Sequence, residues 1–395
     1  MSRYNFDDFD DDMSNAFEDD SVKKRRRKKK GSPNIKWAIA LLLELIIIAV
    51  LGVAVVKAYV HSKYQNLDHV NDIKKEDLEI NSGADQAMDN YTTIALFGID
   101  ARDNSLGKGN RSDAIMIASI NNDTKEVKIV SVFRDTLVQV TKEDGSTVTT
   151  KVNAAYAYGG PELAVQTLNK NFDLNISEYV TVNWEGLTRA IDSLGGVMVH
   201  IEDNELNTLN GVLAEQIESN NIYSDGVYQT GYVTLNGAQA TAYSRIRSTD
   251  QGDITRTERQ REVIQAMISK AKESGISGLN TIIDDVFPYI GTSITEDQMY
   301  DLALGVMSYE LTESVGFPME WEYYSTASKG SCIAPVDLIE NVKTLHKFLF
   351  NTDNYEPTVM VQNISAQITA ETGFSGKGPI PVPENNTGEE STSDE

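Results

Sequence analysis

Three runs of the chain are apolar almost without interruption: Thr93–Ile99 (TIALFGI), Ala114–Ile120 (AIMIASI) and Val127–Phe133 (VKIVSVF). They are short and rich in β-branched residues, so each predicts a strand. Apolar side chains fill both alternating sets of positions, which predicts strands covered on both faces. Shorter runs at Tyr179–Val182 and Val197–Ile201 predict two more. Helical spacing lies between and after them. Pro161 opens PELAVQTLNKNF at a first helical position, and WEGLTRAIDSLGG stops at Gly195-Gly196. TRTERQREVIQAMISKAKESG sets Val263, Met267 and Ile268 on one stripe before Gly275. Ile276–Val286, Glu296–Met307 and Pro335–Phe350 predict further helices. Strands and helices intermix, so the expected class is α/β, with helices on both faces of a mainly parallel or mixed sheet.

One apolar segment has neither period. Trp37–Val56 holds 20 residues with a single ionisable group, Glu44. As a helix it is roughly 30 Å long, the thickness of a bilayer core. KKRRRKKK precedes it, which predicts a cytoplasmic N-terminus and everything after the span outside. A cleaved signal peptide is the rival reading, but its apolar region should be shorter, and here Leu51-Gly52-Val53-Ala54 runs on into Val55-Val56-Lys57 without a clear break. The expected organisation is a disordered cytoplasmic tail over 1–34, acidic and then basic, and a signal anchor over 35–58. An extracytoplasmic stalk over 59–90, a globular domain over 91–360 and a largely disordered tail over 361–395 follow.

Charge sharpens this division. The chain of 395 residues carries 35 Lys+Arg and 59 Asp+Glu, a formal net charge of −24. Residues 1–34 contain nine bases against eight acids, so the acidity belongs to the part beyond the span. An acidic body argues against nucleic acid as a partner. One cysteine, Cys332, excludes an intrachain disulfide and a Cys-rich metal site. The four histidines, His61, His69, His200 and His346, lack zinc-hydrolase spacing.

Candidate chemistry gathers at strand ends. The first strand runs into Asp100-Ala101-Arg102, Arg111-Ser112-Asp113 immediately precede the second, and Arg134-Asp135 follow the third. Such ends can converge at one sheet edge, where α/β proteins bind ligands. Asp100 and Asp113, with no sulfur or imidazole ligand nearby, suit a hard cation such as Mg²⁺. Arginines beside them suit phosphate, because the guanidinium fork grips two oxygens. A second basic cluster spans Arg245, Arg247 and, after Asp253, Arg256. Arg256 and Gln260 are four apart and share a helix face near its N-terminus, where an anion is favoured. Glu258 and Arg259 are expected to be solvent-exposed. Lys151, entering a short helix that ends at Gly159-Gly160, can add positive charge.

The segments GIDAR, RSDAIMI, SVFRDTLV, KVNAAYAYGGPELAVQTLN, NISEYVTVNWEGLTRAIDSLGGVMVHI and AYSRIRSTDQGDITRTERQREVI occur in that order. Together, after one N-terminal anchor, they resemble the LytR–CpsA–Psr family of cell-wall glycopolymer ligases, from about Thr92 to Ala271. The resemblance implies an α/β/α sandwich with a central mixed sheet and an apolar groove for a polyprenyl chain. It implies Asp100 and Asp113 at Mg²⁺ (Mn²⁺ also suits such a site). It implies Arg134, Arg245, Arg247, Arg256, Gln260 and Lys151 at a lipid pyrophosphate, with Arg102 and Arg111 matching the pattern too. The loop Ser248–Asp253 departs from the commoner form containing Asp-Pro.

The implied partners are a polyprenyl-pyrophosphate-linked glycopolymer, peptidoglycan and membrane lipid. The implied reaction is attack by the C6 hydroxyl of N-acetylmuramic acid on the distal phosphate, with polyprenyl monophosphate leaving. Asp100 or Asp253 is the candidate proton acceptor, Asp100 being favoured. Two other readings remain open: a lipid-pyrophosphate hydrolase using water, and a membrane-bound transcriptional attenuator. Against the attenuator, the short cytoplasmic segment has no helix-turn-helix pattern.

Overall fold

The computed structural model describes residues 55–65, 67–69, 77–84, 88–101, 106–220, 223–247 and 252–376. Apart from Val55 these belong to one compact unit, Val56–Glu395. Helix α1 (55–64) and the short strand β1 (Asp68–His69) lead in. Strands β2 (Tyr91–Ile99), β3 (Ser112–Asn121) and β4 (Glu126–Val132) form an antiparallel meander. A hairpin of β5 (Leu137–Thr141) and β6 (Thr147–Lys151) leads to α2 (Asn153–Phe172). Strand β7 (Glu178–Asn183) returns parallel to β2 and passes directly into α3 (Trp184–Ser193).

A small sheet of β8 (Val197–Ile201) and β9 (Gly231–Leu235) brackets α4 (Leu206–Asn220) and leads to α5 (Gly237–Tyr243). The long helix α6 (Asp253–Val286), β10 (Ile290–Thr292), α7 (Glu296–Gly305) and β11 (Glu310–Phe317) follow. The chain then makes a hairpin of β12 (Trp321–Thr326) and β13 (Gly330–Pro335), then α8 (Leu338–Phe350) and α9 (Val359–Thr372).

The main sheet has the order β1-β10-β7-β2-β3-β4-β11. It is mixed: β7 is parallel to β2 and β11 to β4, while the central pairs are antiparallel. Both faces are covered, which is why the central strands lack apolar/polar alternation. Ala95, Phe97, Ile99, Ile117, Val130 and Val132 pack against α2, α8 and α9. The alternate residues Ile94, Met116 and Ile129 face α6 and α7. Each fully buried Ile, Val or Phe contributes roughly 1.5–3 kcal/mol, so both layers are needed to hold the sheet.

Several expectations change. Described parts of the 59–90 segment are not a free stalk: Leu78, Ala84 and Met88 are buried in the main core. His61 Nδ1 of α1 lies 3.0 Å from Glu296 at the start of α7. At the other end the 361–395 tail contributes most of α9, whose Val361, Ile364 and Ile368 are in the core. Ile276–Val286 continues α6 beyond Gly275, whose φ of +64° breaks helical geometry there. Pro335 closes β13, and α8 starts only after Asp337, whose side chain accepts from the Glu340 amide. The membrane-span expectation falls outside the described residues except for Val55 and Val56. Among the described residues no helix is long and apolar enough to cross a membrane.

Candidate active site

At one edge of the sheet β2, β4 and β7 end and β3 begins. Gly98 pairs with Ala114, but Ile99 pairs with Ser112, so Asp113 is an extra residue in the ladder. Such a bulge re-aims a side chain. The small Gly98–Ala114 pair permits it: a Cβ on Gly98 would lie 3.0 Å from that of Ala114.

Arginines from three separate elements converge on Asp113. Arg134, just past β4, donates from Nη1 to Asp113 Oδ1 at 2.7 Å. Arg247, beyond α5, places Nη2 3.7 Å from Oδ2. Arg256, in the first turn of α6, donates from Nη2 to the Asp113 backbone carbonyl at 3.2 Å. Arg256 is only 2% exposed. A buried guanidinium is costly unless anionic or carbonyl oxygens surround it. The β5–β6 hairpin brings in Lys151, whose Nζ is 2.9 Å from Asp135 Oδ1, while Arg134 Nε is 3.7 Å from Oδ2 of the same carboxylate. Asp135 thus links Lys151 to the cluster, a role the strand-end pattern did not single out.

Below the cluster, between the sheet and helices α3 and α6, lies a cavity of about 150 Å³. Leu96, Met116, Val180, Leu187, Val263 and Ile264 are among its apolar walls. Gln260 reaches it one helical turn beyond Arg256, and among the described residues its amide has no hydrogen-bond partner. Trp184 also lines the cavity, and the Arg245 guanidinium sits 5.6 Å from the centre of its ring. The position of Trp184, immediately after β7 with Asn183 capping α3, was the signal available in the sequence.

Sequence-selected residues divide accordingly. Asp113, Arg134, Arg247, Arg256 and, through Asp135, Lys151 are brought together. Arg245 reaches neither Asp113 nor the cavity wall: it sits over the ring of Trp184 and donates to Gln216 Oε1 at 3.3 Å. Asp100, exposed at the end of β2, is one strand from Asp113, and Arg111 is exposed at the entrance to β3. Arg102 and the side chain of Asp253 lie outside the described residues. Arg259 departs from expectation: it is 4% exposed and its Nε donates to Glu205 Oε1 at 2.6 Å. The helix packs against the main sheet, α3 and β8, and its Arg259 side meets Glu205 and the Ile246 carbonyl, so more of its circumference is buried than one stripe predicts.

Among the described residues no group of three or more His, Cys, Asp or Glu could hold a metal. Two carboxylates at adjacent strand ends nevertheless fit Mg²⁺, which completes its shell with water and phosphate oxygens. Asp100 is open to solvent, and among the described residues Asp113 Oδ2 is approached by Arg247 at 3.7 Å.

The model of the LytR_cpsA_psr family matches residues 53–332. The polyisoprenyl-teichoic acid–peptidoglycan teichoic acid transferase TagU of Bacillus mycoides is 33% identical over 267 residues, 65% of this chain and 80% of that protein. TagU of Halalkalibacterium halodurans is 30% identical over 275 residues, 67% and 82% of the respective chains. Among solved structures, the Streptococcus agalactiae protein gbs0355 aligns with a TM-score of 0.57 at 26% identity, covering 70% of this chain and 92% of its own. TagV of Bacillus subtilis aligns with a TM-score of 0.52 at 25% identity, covering 68% and 99%. With its strand-end motifs gathered at one sheet edge and a family match over most of its length, this chain belongs to the LytR_cpsA_psr family.

Proposed function

We propose that this protein is a membrane-anchored, extracytoplasmic transferase that moves a glycopolymer from a polyprenyl-pyrophosphate carrier to the C6 hydroxyl of peptidoglycan N-acetylmuramic acid. One observation carries the reading: Arg256 and Gln260 on a single helix join an arginine cluster to an apolar cavity. That pairing suits an amphipathic ligand with a pyrophosphate head and a hydrocarbon tail. The TagU relatives are named as transferases acting between polyisoprenyl-teichoic acid and peptidoglycan, which supports the same chemistry here. The relatives' names support teichoic acid as the polymer class; capsular and other secondary wall polysaccharides carry the same phosphate linkage.

In this reading the prenyl chain enters between the sheet and α6, and Arg134, Arg247 and Arg256 receive the pyrophosphate oxygens. Arg245 and Lys151 extend the positive rim. The acceptor hydroxyl oxygen bonds to the polymer-bearing phosphorus. The bond from that phosphorus to the bridging oxygen breaks, and polyprenyl monophosphate departs. Asp100, exposed at the strand end, takes the hydroxyl proton; Asp253 is the second candidate. Held by Asp100 and Asp113, Mg²⁺ or Mn²⁺ would neutralise phosphate charge. Phosphoryl transfer of this kind depends mainly on positioning and electrostatics.

The test incubates the full chain in detergent with a lipid-pyrophosphate-linked glycan and Mg²⁺, with and without uncrosslinked peptidoglycan. Polymer on muramic acid, with one polyprenyl monophosphate per transfer, is the expected result. Lipid turnover indifferent to peptidoglycan would indicate a hydrolase instead. The topology is tested separately: protease outside protoplasts should remove epitopes in 91–376 and spare 1–34, and protection of the domain would overturn an outward orientation.

A further inference from the structure

Behind the arginine cluster lies a second, buried charge system that contributes no group to the cavity. Arg259 and Glu205 are 4% and 5% exposed and meet at 2.6 Å. Arg259 also donates from Nη1 to the backbone carbonyl of Ile246 at 3.3 Å. Ile246 is fully buried and stands between Arg245 and Arg247. Glu205 is fixed in turn, its Oε2 accepting from the Glu202 amide at 2.9 Å. The Arg259 guanidinium packs over Tyr243, whose hydroxyl donates to Glu262 at 2.7 Å. The segment carrying both arginines is thereby tied to the start of α4 and to α6.

A buried ion pair is a poor source of stability, because desolvation of both charges offsets their attraction and apolar replacements are often as stable. Its geometry is the informative feature. A lysine could neutralise Glu205, but its single ammonium could not satisfy the carboxylate and the Ile246 carbonyl in the fork geometry of a guanidinium. We propose that Arg259 and Glu205 form a positioning pair that holds the Arg245-Ile246-Arg247 segment in register for a phosphate-bearing ligand. The ligand class rests on the function proposed above, whereas the ordering of the segment does not.

The experiment compares the full chain in detergent with Arg259→Lys and with the double variant Glu205→Leu/Arg259→Met. Thermal unfolding, hydrogen exchange of the 243–247 amides and binding of geranylgeranyl pyrophosphate are measured on each. Arg259→Lys should unfold within a few degrees of wild type, yet its 243–247 amides should exchange at least tenfold faster. Its pyrophosphate affinity should fall about tenfold. The double variant should be comparably stable and equally impaired in binding. Wild-type exchange and affinity in a folded Arg259→Lys would overturn the proposal. If the lysine variant fails to fold, the double variant decides by the same two readouts. Were wild type to bind no prenyl pyrophosphate, the ligand assignment would fall, while the exchange comparison would still accept or reject the positioning role.

Discussion

Arg134 Nη1 lies 2.7 Å from Asp113 Oδ1, across the edge where β4 ends and β3 begins. The contact exists because a one-residue bulge turns Asp113 out of the ladder. Asp113 is thereby the meeting point of three arginines. Its carboxylate faces Arg134 and Arg247 while its backbone carbonyl holds Arg256.

Asp113→Asn should preserve the fold, since the side chain is partly exposed and isosteric. It should weaken binding of a short polyprenyl pyrophosphate about tenfold, because a hydrogen bond to a charged group is worth roughly 1.5–3 kcal/mol. Calorimetric titration gives the answer directly; wild-type affinity would mean that the arginines are held in place without it.

Filling the cavity should separate tail binding from head binding. Val263, 1% exposed, lines the cavity from α6. Val263→Trp should abolish the advantage of geranylgeranyl pyrophosphate over inorganic pyrophosphate. Overpacking costs roughly 1–3 kcal/mol, so a folded variant is expected. An unchanged preference would place the hydrocarbon elsewhere.

Asp100 is exposed, so Asp100→Ala should leave the unfolding temperature in chelator unchanged. Wild type should gain thermal stability on addition of Mg²⁺ by ordinary binding linkage, and the variant should lose most of that gain. Equal Mg²⁺-induced shifts in both proteins would remove Asp100 from the ligand set.

Acid should destabilise the domain through His346. The ring is fully buried and stacked on Tyr355 at 3.6 Å. Burial lowers its pKa from 6.5 to about 4. Between those values the unfolded chain binds more protons than the folded one, so stability rises with pH across the window. The contribution is complete above pH 6.5 and is lost as pH falls towards 4, amounting to about 3 kcal/mol. Unfolding free energies at pH 7 and pH 4.5 should differ less in His346→Gln than in wild type. Parallel pH profiles would assign the acid sensitivity to other groups.

Local information in the chain was enough for the central strands and for the residue types of the site. Thr93–Ile99, Ala114–Ile120 and Val127–Phe133 are each uninterrupted because both sheet faces are covered, and the observed strands contain or nearly coincide with them. The clustering of Asp and Arg at their ends was likewise legible, because a strand end must turn and a turn near a ligand carries polar groups. Tertiary packing decided the rest. Whether Arg259 faced water depended on Glu205, Tyr243 and the Ile246 carbonyl, which lie outside the helical repeat that contains it. Whether 59–90 stood free depended on a core that Leu78, Ala84 and Met88 enter. The contact of Asp113 with Arg134 required a register shift between two strands, and register is a property of the paired strands, not of either sequence alone.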